Sequence, residues 1–479
     1  MKVFLRKNYH FYLISLYTLS YLILRITASP YLDWDEAEQY LAAQNFNLGD
    51  AQQPPLYSWL SRLVLLISNG SPYSLMSLRY LFLLLFIHYL YLAAKQFFPP
   101  QKAFTLCTLV LALIPSYAYT INFKLTHSVL VFALSSACFY YYLLALKENK
   151  SLSFLKLGLV VGLGLIAKYN FIFLLSALIL ASLTLKHTRK AFLKSKLLIS
   201  ITVSLLIASP HYLWLLKHST KAANYLSERG HFKIAQAEDY NYLINIFKLS
   251  FSAFSQLFIF IIFLGVIYLV SKFKAKALGL KYQINEQKKD LKLLAWISFF
   301  SYLVPISIFL ICKSEKLISG WLSVSHFITA IYLYLLLEQF AKKRYYSLSR
   351  RLAYIIILVL FLIKYLWIFQ ADLFEKKNTI NINYKVISKS IEQSLGEAYL
   401  LKNTLICEDK MIYVNLKILN KEWNLDYFKD NKEKKELIQN YNFKKLEIPY
   451  SFLHSHNIQN KNKTLKFFIS EKINNHKNG

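Results

Sequence analysis

The chain has 479 residues, 56% of them hydrophobic and only 17% charged. A soluble chain carries about 25% charged residues, so an ordinary soluble domain is excluded, as is a disordered or fibrous protein. Four cysteines exclude a disulfide scaffold. The formal charge of +31 would point to nucleic acid on a soluble protein, and to topology on a membrane protein.

The charges lie between apolar runs. Eleven membrane helices are predicted, at 10–29, 76–97, 103–120, 128–146, 154–168, 170–185, 197–216, 244–271, 293–312, 321–338 and 353–371. Most are long enough to cross about 30 Å of hydrocarbon. The stretch 154–185 is too long for one span and divides at Lys168-Tyr169-Asn170. Lys2, Arg6 and Lys7 precede the first run, but no A-x-A-like site follows, so it reads as a retained helix. With the N-terminus in the cytoplasm, inside segments carry 24 Lys/Arg and outside loops 8. That is the positive-inside bias. The odd span number places residues 372–479 outside. The basic charge therefore orients helices, and the clusters at 186–196 and 272–292 also face anionic lipid. The bilayer is an expected partner and nucleic acid is not. Cys107, Cys138, Cys312 and Cys407 form no C-x-x-C pair and read as buried small hydrophobes.

The first outside loop, 30–75, differs from the rest. It holds Asp33, Asp35, Glu36, Glu38 and Asp50 against one basic residue, Arg62. A surface helix is predicted over 34–47, with Trp34, Ala37, Leu41 and Leu48 on one face and Gly49 as its stop. Pro54-Pro55 opens a second, whose apolar stripe is Leu56, Trp59, Leu60, Leu63, Val64 and Ile67. Asp33, Glu38 and Asp50 suit solvation of an outer loop. Asp35 and Glu36 stand at a helix start, where a carboxylate is stabilised in its ionised form and can act as general base toward a hydroxyl.

Asp35-Glu36-Ala37, a short helix, and then Gln53-Pro54-Pro55-Leu56-Tyr57-Ser58-Trp59-Leu60 resemble the first loop of bacterial GT-C glycosyltransferases. These are the relatives of protein O-mannosyltransferases, lipid A aminoarabinose transferase and lipopolysaccharide galacturonosyltransferases. Similarity continues through Leu125-Thr126-His127-Ser128, Gly164–Asn170 and Pro210-His211-Tyr212-Leu213-Trp214. The resemblance implies a sugar donor on a polyprenyl monophosphate, inversion at the anomeric carbon on the outer face, and Asp35 as catalytic base. It implies no nucleotide sugar. Two departures stand out. Gln53 replaces the His or Lys that many members carry before the double proline, and Ser128 follows Thr126-His127 where many members have Asp after Thr-x.

A phosphate leaving group needs cations as well as a base. Arg79, Lys124, His127, Lys168 and His211 fall near the outer ends of separate predicted spans. Ionisable residues at membrane depth usually face a cavity or partner, although cations also snorkel to the interface. The expected substrate-binding set is Glu36, Gln53, Pro54, Pro55, Tyr57, Arg79, His127, Lys168 and His211, with no metal and no cofactor. The loop 217–243, with Lys217, His218, Arg229, His231 and Lys233, is a candidate cover over the donor. Lys313 and Lys316 are weaker candidates, and Trp321 reads as an interface anchor.

Residues 372–479 change composition, with 19 Lys against 13 acids. Helices are predicted at 386–395 and 411–419, and strands at 404–407, 446–450 and 465–469. The expected architecture is an all-α polytopic membrane protein, GT-C-like, comprising residues 1–371 with the catalytic outer loop 30–75. A small C-terminal α/β outer domain, 372–479, follows. The expected function is an inverting glycosyltransferase of a bacterial inner membrane that passes sugar to a lipid, glycan or protein acceptor. The alternatives are a transporter or flippase, which expects mid-membrane polar groups and repeats, and a surface-polysaccharide ligase or polymerase, which expects Arg and His in a large outer loop.

Overall fold

The computed structural model describes residues 2–49, 53–121, 126–218, 241–277, 288–313, 319–339, 343–369, 382–407, 409–427, 444–449 and 464–470. The helices are α1 (Lys2–Ala28), α2 (Trp34–Ala42), α3 (Leu56–Ile67), α4 (Pro72–Ala94), α5 (Pro100–Leu113), α6 (Thr126–Glu148), α7 (Ser151–Leu165), α8 (Phe171–Thr184), α9 (Lys186–Phe192), α10 (Leu197–Lys217), α11 (Tyr242–Ser255), α12 (Phe258–Ala277), α13 (Lys288–Ile311), α14 (His326–Glu338), α15 (Lys343–Phe369), α16 (Tyr384–Leu395), α17 (Glu397–Lys402) and α18 (Lys410–Leu419). The strands are β1 (Thr404–Cys407), β2 (Leu425–Tyr427), β3 (Lys444–Pro449) and β4 (Thr464–Ser470). The chain divides into two compact units. One holds Met1–Tyr21, Phe46–Leu60 and Leu78–Phe361, and the other Leu22–Asn45, Ser61–Ser77 and Leu362–Gly479.

Among the described residues four helices are long and apolar enough to cross a membrane: Pro72–Ala94, His127–Glu148, Leu197–Lys217 and Lys289–Ile311. Two bent pairs raise the number to six if each is one span. Other apolar helices, such as Ser151–Leu165 and His326–Glu338, are shorter. The expected break at 168–170 is present, between α7 and α8. Three expected spans differ from what is found; in one, 321–338, the α-helix starts only at His326, after a 3-10 turn over Ser319–Val324. The span 103–120 stops at Leu113, because Pro115 has no N–H and forces the residue before it out of the helix; Ile114 is extended and a π turn follows at Ser116–Thr120. The span 244–271 is bent by 67° between α11 and Phe258–Leu269. The two breaks meet, since Gln256 Oε1 accepts from the Ser116 N–H at 3.1 Å and from its hydroxyl at 3.0 Å. A side chain at one break thus satisfies the backbone N–H of Ser116 at the other. Basic α9 turns away from α8 by 114°.

Small residues let α7 approach α10 closely. A Cβ on Gly158 would lie 2.7 Å from Ser200 Cα, and one on Gly162 3.1 Å from Ser204 Cα. The Gly158-x-x-x-Gly162 face of α7 therefore lies against the Ser200-x-x-x-Ser204 face of α10, the small-residue contact that membrane helices favour. The Ser200 hydroxyl donates to the Phe154 carbonyl at 2.6 Å. Lys102 pairs with Glu338 and so ties α5 to the end of α14. A cavity of about 310 Å³ opens among α6–α10, between residues such as Cys138, Tyr142, Val161, Leu178 and Phe192. None of the expected site residues lines it.

The second unit centres on a mixed four-stranded sheet of order β2-β1-β4-β3, with β1 and β2 parallel and the other pairs antiparallel. Asp409 caps α18 by accepting from the Met411 and Ile412 N–H groups. The core joins Leu405, Cys407, Val414, Leu416, Phe467 and Ile469 to Leu32, Ala37 and Met76. The described residues of 382–470 are therefore packed in one unit with parts of the first loop.

Candidate functional site

The segment leading into α2 comes first, because it carries Asp35. Asp33 is the N-cap; its side chain accepts from the Trp34 N–H at 2.6 Å, and the reciprocal bond from Asp33 N–H to Glu36 Oε2 is 3.0 Å. This is a capping box. Glu36 is 1% exposed, and Arg25 of α1 donates to it from Nη2 at 2.5 Å and from Nε at 3.3 Å. Arg25 also donates to the carbonyls of Ser29 and Tyr31 at 3.0 and 2.7 Å. Glu36 is thus turned inward, while Asp35 beside it is half-buried on the first turn.

The helix is shorter than 34–47, ending at Ala42. Leu48 is accordingly not on it, and the expected face is only partly inward: Ala37 is buried and Trp34 is 45% exposed. Asn45, Asn47 and Gly49, all poor helix formers, follow the early stop.

The cations and the Pro-Pro motif lie in the other unit. The Leu56 N–H, at the start of α3, donates to the Ile166 carbonyl at 3.0 Å, which fixes the Pro54-Pro55 turn against the α7–α8 break. Pro54, Pro55 and Tyr57 are buried and Gln53 is half-buried. The Tyr57 ring meets His127 at 4.9 Å between centroids and Phe82 at 5.8 Å. Lys168 Nζ donates to the hydroxyl of Ser128, the neighbour of His127, at 2.7 Å. Tyr57, His127 and Lys168 are thereby gathered from two helices and a helix break. Arg79 is 2% exposed, with its guanidinium 5.4 Å from the Tyr80 ring.

His211 is 1% exposed and close to the same break: its ring stacks on Tyr169 at 6.0 Å, and Tyr212 donates to the Leu165 carbonyl. His211 Nδ1 is 2.8 Å from the Leu48 carbonyl oxygen. A carbonyl only accepts, so Nδ1 carries the hydrogen. In the neutral ring Nε2 is then an acceptor, and it donates only when the ring is protonated. Nε2 is buried and without a hydrogen-bond partner among the described residues. Gly49 permits this contact, because a Cβ there would lie 2.8 Å from His211 Nδ1 and from Trp214.

Lys124, Asp50, Lys316 and most of the loop 217–243 lie outside the described residues. Trp321 accepts from Asn170 Nδ2 through its carbonyl at 2.9 Å, and its ring packs on Phe173 and Phe309. The sequence reading missed Arg25 and gave Leu48, Gly49, Ser128 and Asn170 other roles. Arg25 was visible as an ionisable residue inside an apolar run.

Residues 52–214 match the family described as dolichyl-phosphate-mannose-protein mannosyltransferase. The lipopolysaccharide core galacturonosyltransferases RgtB and RgtA of Rhizobium johnstonii are 35% and 32% identical to the chain, covering 43% and 42% of it and 42% and 41% of theirs. The lipid A galacturonosyltransferase RgtD of that organism is 27% identical over 41% of each chain. Over part of its length the chain is thus similar to membrane glycosyltransferases. It spans about two-fifths of the length of the curated relatives it matches. ArnT from Cupriavidus metallidurans in the apo state matches 95% of this chain and 97% of its own, at a TM-score of 0.44 and 12% identity. The matched family segment contains Gln53, Pro54, Pro55, Tyr57, Arg79, His127, Lys168 and His211, whereas Asp35 and Glu36 precede it.

Proposed function

We propose that the protein is an inverting glycosyltransferase of a bacterial inner membrane. It takes sugar from a polyprenyl-phosphate donor and passes it to a hydroxyl of an envelope glycolipid at the outer face. The observation that carries this reading is the gathering of Tyr57, His127 and Lys168, which come from motifs far apart in sequence, around the Pro54-Pro55 turn. The names of the matched relatives support lipopolysaccharide or lipid A as acceptor and galacturonic acid as the first sugar to test.

In this mechanism Asp35 takes the proton of the acceptor hydroxyl. The oxygen forms a bond to the anomeric carbon from the face opposite the phosphate. The bond from that carbon to the phosphate oxygen breaks, and the polyprenyl phosphate departs with its electron pair. The ammonium of Lys168 stabilises the charge that grows on the phosphate, an interaction stronger in the transition state than before it. Glu36 shapes the site by holding the first turn of α2, and Gln53 contributes a neutral amide to the phosphate. His211, with Nδ1 held by Leu48, accepts a hydroxyl hydrogen when neutral and binds phosphate when protonated. The N-terminus is cytoplasmic and 372–479 lies on the outer side.

The test is sugar transfer in membranes supplied with polyprenyl-phosphate galacturonic acid and lipopolysaccharide. Wild-type protein is run beside Lys168→Met, and products are read by mass spectrometry. Transfer by the wild type, and a lowered kcat together with a raised donor KM in the variant, are expected.

A further inference from the structure

The backbone that carries Asp35 is held almost entirely by side chains. The Tyr31 N–H donates to the Ser29 hydroxyl at 3.2 Å, and the Tyr31 carbonyl accepts from Arg25. The Asp33 N–H goes to Glu36. Leu32, between them, is bound at both polar groups by one residue. Its N–H donates to Asn415 Oδ1 at 2.8 Å, and its carbonyl accepts from Asn415 Nδ2 at 3.0 Å. The amide of Asn415 thus pairs with Leu32 as a strand would, from 383 residues away in sequence.

Asn415 is well placed to hold something still. It is 1% exposed, and its neighbours Val414 and Leu416 are fully buried. Its Nδ2 also donates to the Met411 carbonyl at 2.9 Å, which fixes the rotamer. The helix beneath it, α18, is capped by Asp409 and packs on α2 itself. A buried amide in an apolar core is costly unless its hydrogen bonds are made. Here three are made, and two of them go to the residue three positions before Asp35.

We propose that Asn415 is a positioning residue for Asp35. In this role α18 is the fixed support against which the proton-accepting carboxylate is set. The proposal rests on the reading of Asp35 as the base. A base displaced by about 1 Å can lose roughly 100-fold in rate.

The experiment uses the full-length protein in two arms. The first is amide hydrogen exchange with no ligand, comparing wild type, Asn415→Ala and Asn415→Asp. Asn415→Asp keeps the side-chain shape and the acceptor for the Leu32 N–H while removing the donor, so it covers failure of the alanine variant to fold. Faster exchange confined to residues 31–36 is expected. Unchanged exchange there, or loosening spread evenly over β1, β4 and α18, overturns the proposal.

The second arm measures transfer from polyprenyl-phosphate galacturonic acid to lipopolysaccharide, alone and in an Asp35→Asn background. Asn415→Ala is expected to lower kcat about 10- to 100-fold at unchanged acceptor KM. It is expected to add no further loss once Asp35 is replaced. A loss that simply multiplies that of Asp35→Asn overturns positioning while leaving the base intact. Undiminished transfer by Asp35→Asn overturns the base, and the positioning proposal with it. If wild type does not use this donor, the exchange arm alone decides whether Asn415 holds the segment.

Discussion

Arg25 and Glu36 form an ion pair with 2.5 Å between Nη2 and Oε2, and their side chains are 2% and 1% exposed. Glu36 spends its other contact on the Asp33 N–H, and Arg25 spends two on the Ser29 and Tyr31 carbonyls. The pair therefore joins the end of α1 to the first turn of α2. Removing one partner strands a buried charge, which costs about 3–5 kcal/mol. Arg25→Ala and Glu36→Ala are expected to lower the midpoint of thermal unfolding in detergent. The double variant Arg25→Met, Glu36→Leu is expected to lose less than the sum of the two, because no buried charge is left alone.

Lys168 is expected to act on the donor. It donates to Ser128 with no ligand present, and a phosphate oxygen would compete for the same ammonium. A hydrogen bond to a charged group is worth about 1.5–3 kcal/mol, a factor of roughly 10–100 in affinity. Lys168→Met should lower kcat/KM for the donor by at least that factor, with kcat reduced as well and the acceptor KM unchanged. Initial rates at varied donor concentration check this.

Gly49 supplies a steric test of the His211 contact. The methyl of Gly49→Ala would meet His211 Nδ1 and the Trp214 ring at 2.8 Å, too close to be accommodated in place. Transfer should fall while the elution profile of the purified protein stays that of wild type. Pairing the change with Trp214→Leu should recover part of it.

Cys312 is the exposed cysteine, whereas Cys107, Cys138 and Cys407 are buried. Burial, together with Asp409 and Asp426 nearby, pushes the Cys407 thiol above its ordinary value, which further lowers its reactivity. A membrane-impermeant maleimide should label the folded protein at Cys312, and the other three only after denaturation. Labelling of Cys312 from the outer side is expected from the topology proposed here. Labelling only in inverted vesicles would reverse that topology.

Local chemistry was the legible part of the molecule. Lys168-Tyr169-Asn170 is polar inside a long apolar run, and the helix does break there. Thr404–Cys407 and Thr464–Ser470 are β-branched or aromatic enough to show as strands. Two departures were written locally but outweighed in the reading. Pro115 ends α5 early, and Asn45 and Asn47 follow the end of α2. The role of Glu36 needed the partner Arg25, eleven residues back, as well as the local Asp33-x-x-Glu36 spacing. Asn415 could not be read at all, since nothing in α18 signals a contact 383 residues away. Likewise the Gln256–Ser116 contact joins two helix breaks that sequence periodicity treats as continuous spans.

The central claim is that Asp35 accepts the proton of the acceptor hydroxyl. Asp35→Asn keeps the size and the helix position of the side chain but removes its basicity. Sugar transfer from polyprenyl phosphate is to be compared between wild type and Asp35→Asn at equal amounts of folded protein in membranes. The account predicts a fall in kcat of about 100-fold or more, in the range expected for loss of a general base, with donor binding retained. Transfer at the wild-type rate by a folded Asp35→Asn protein would contradict it.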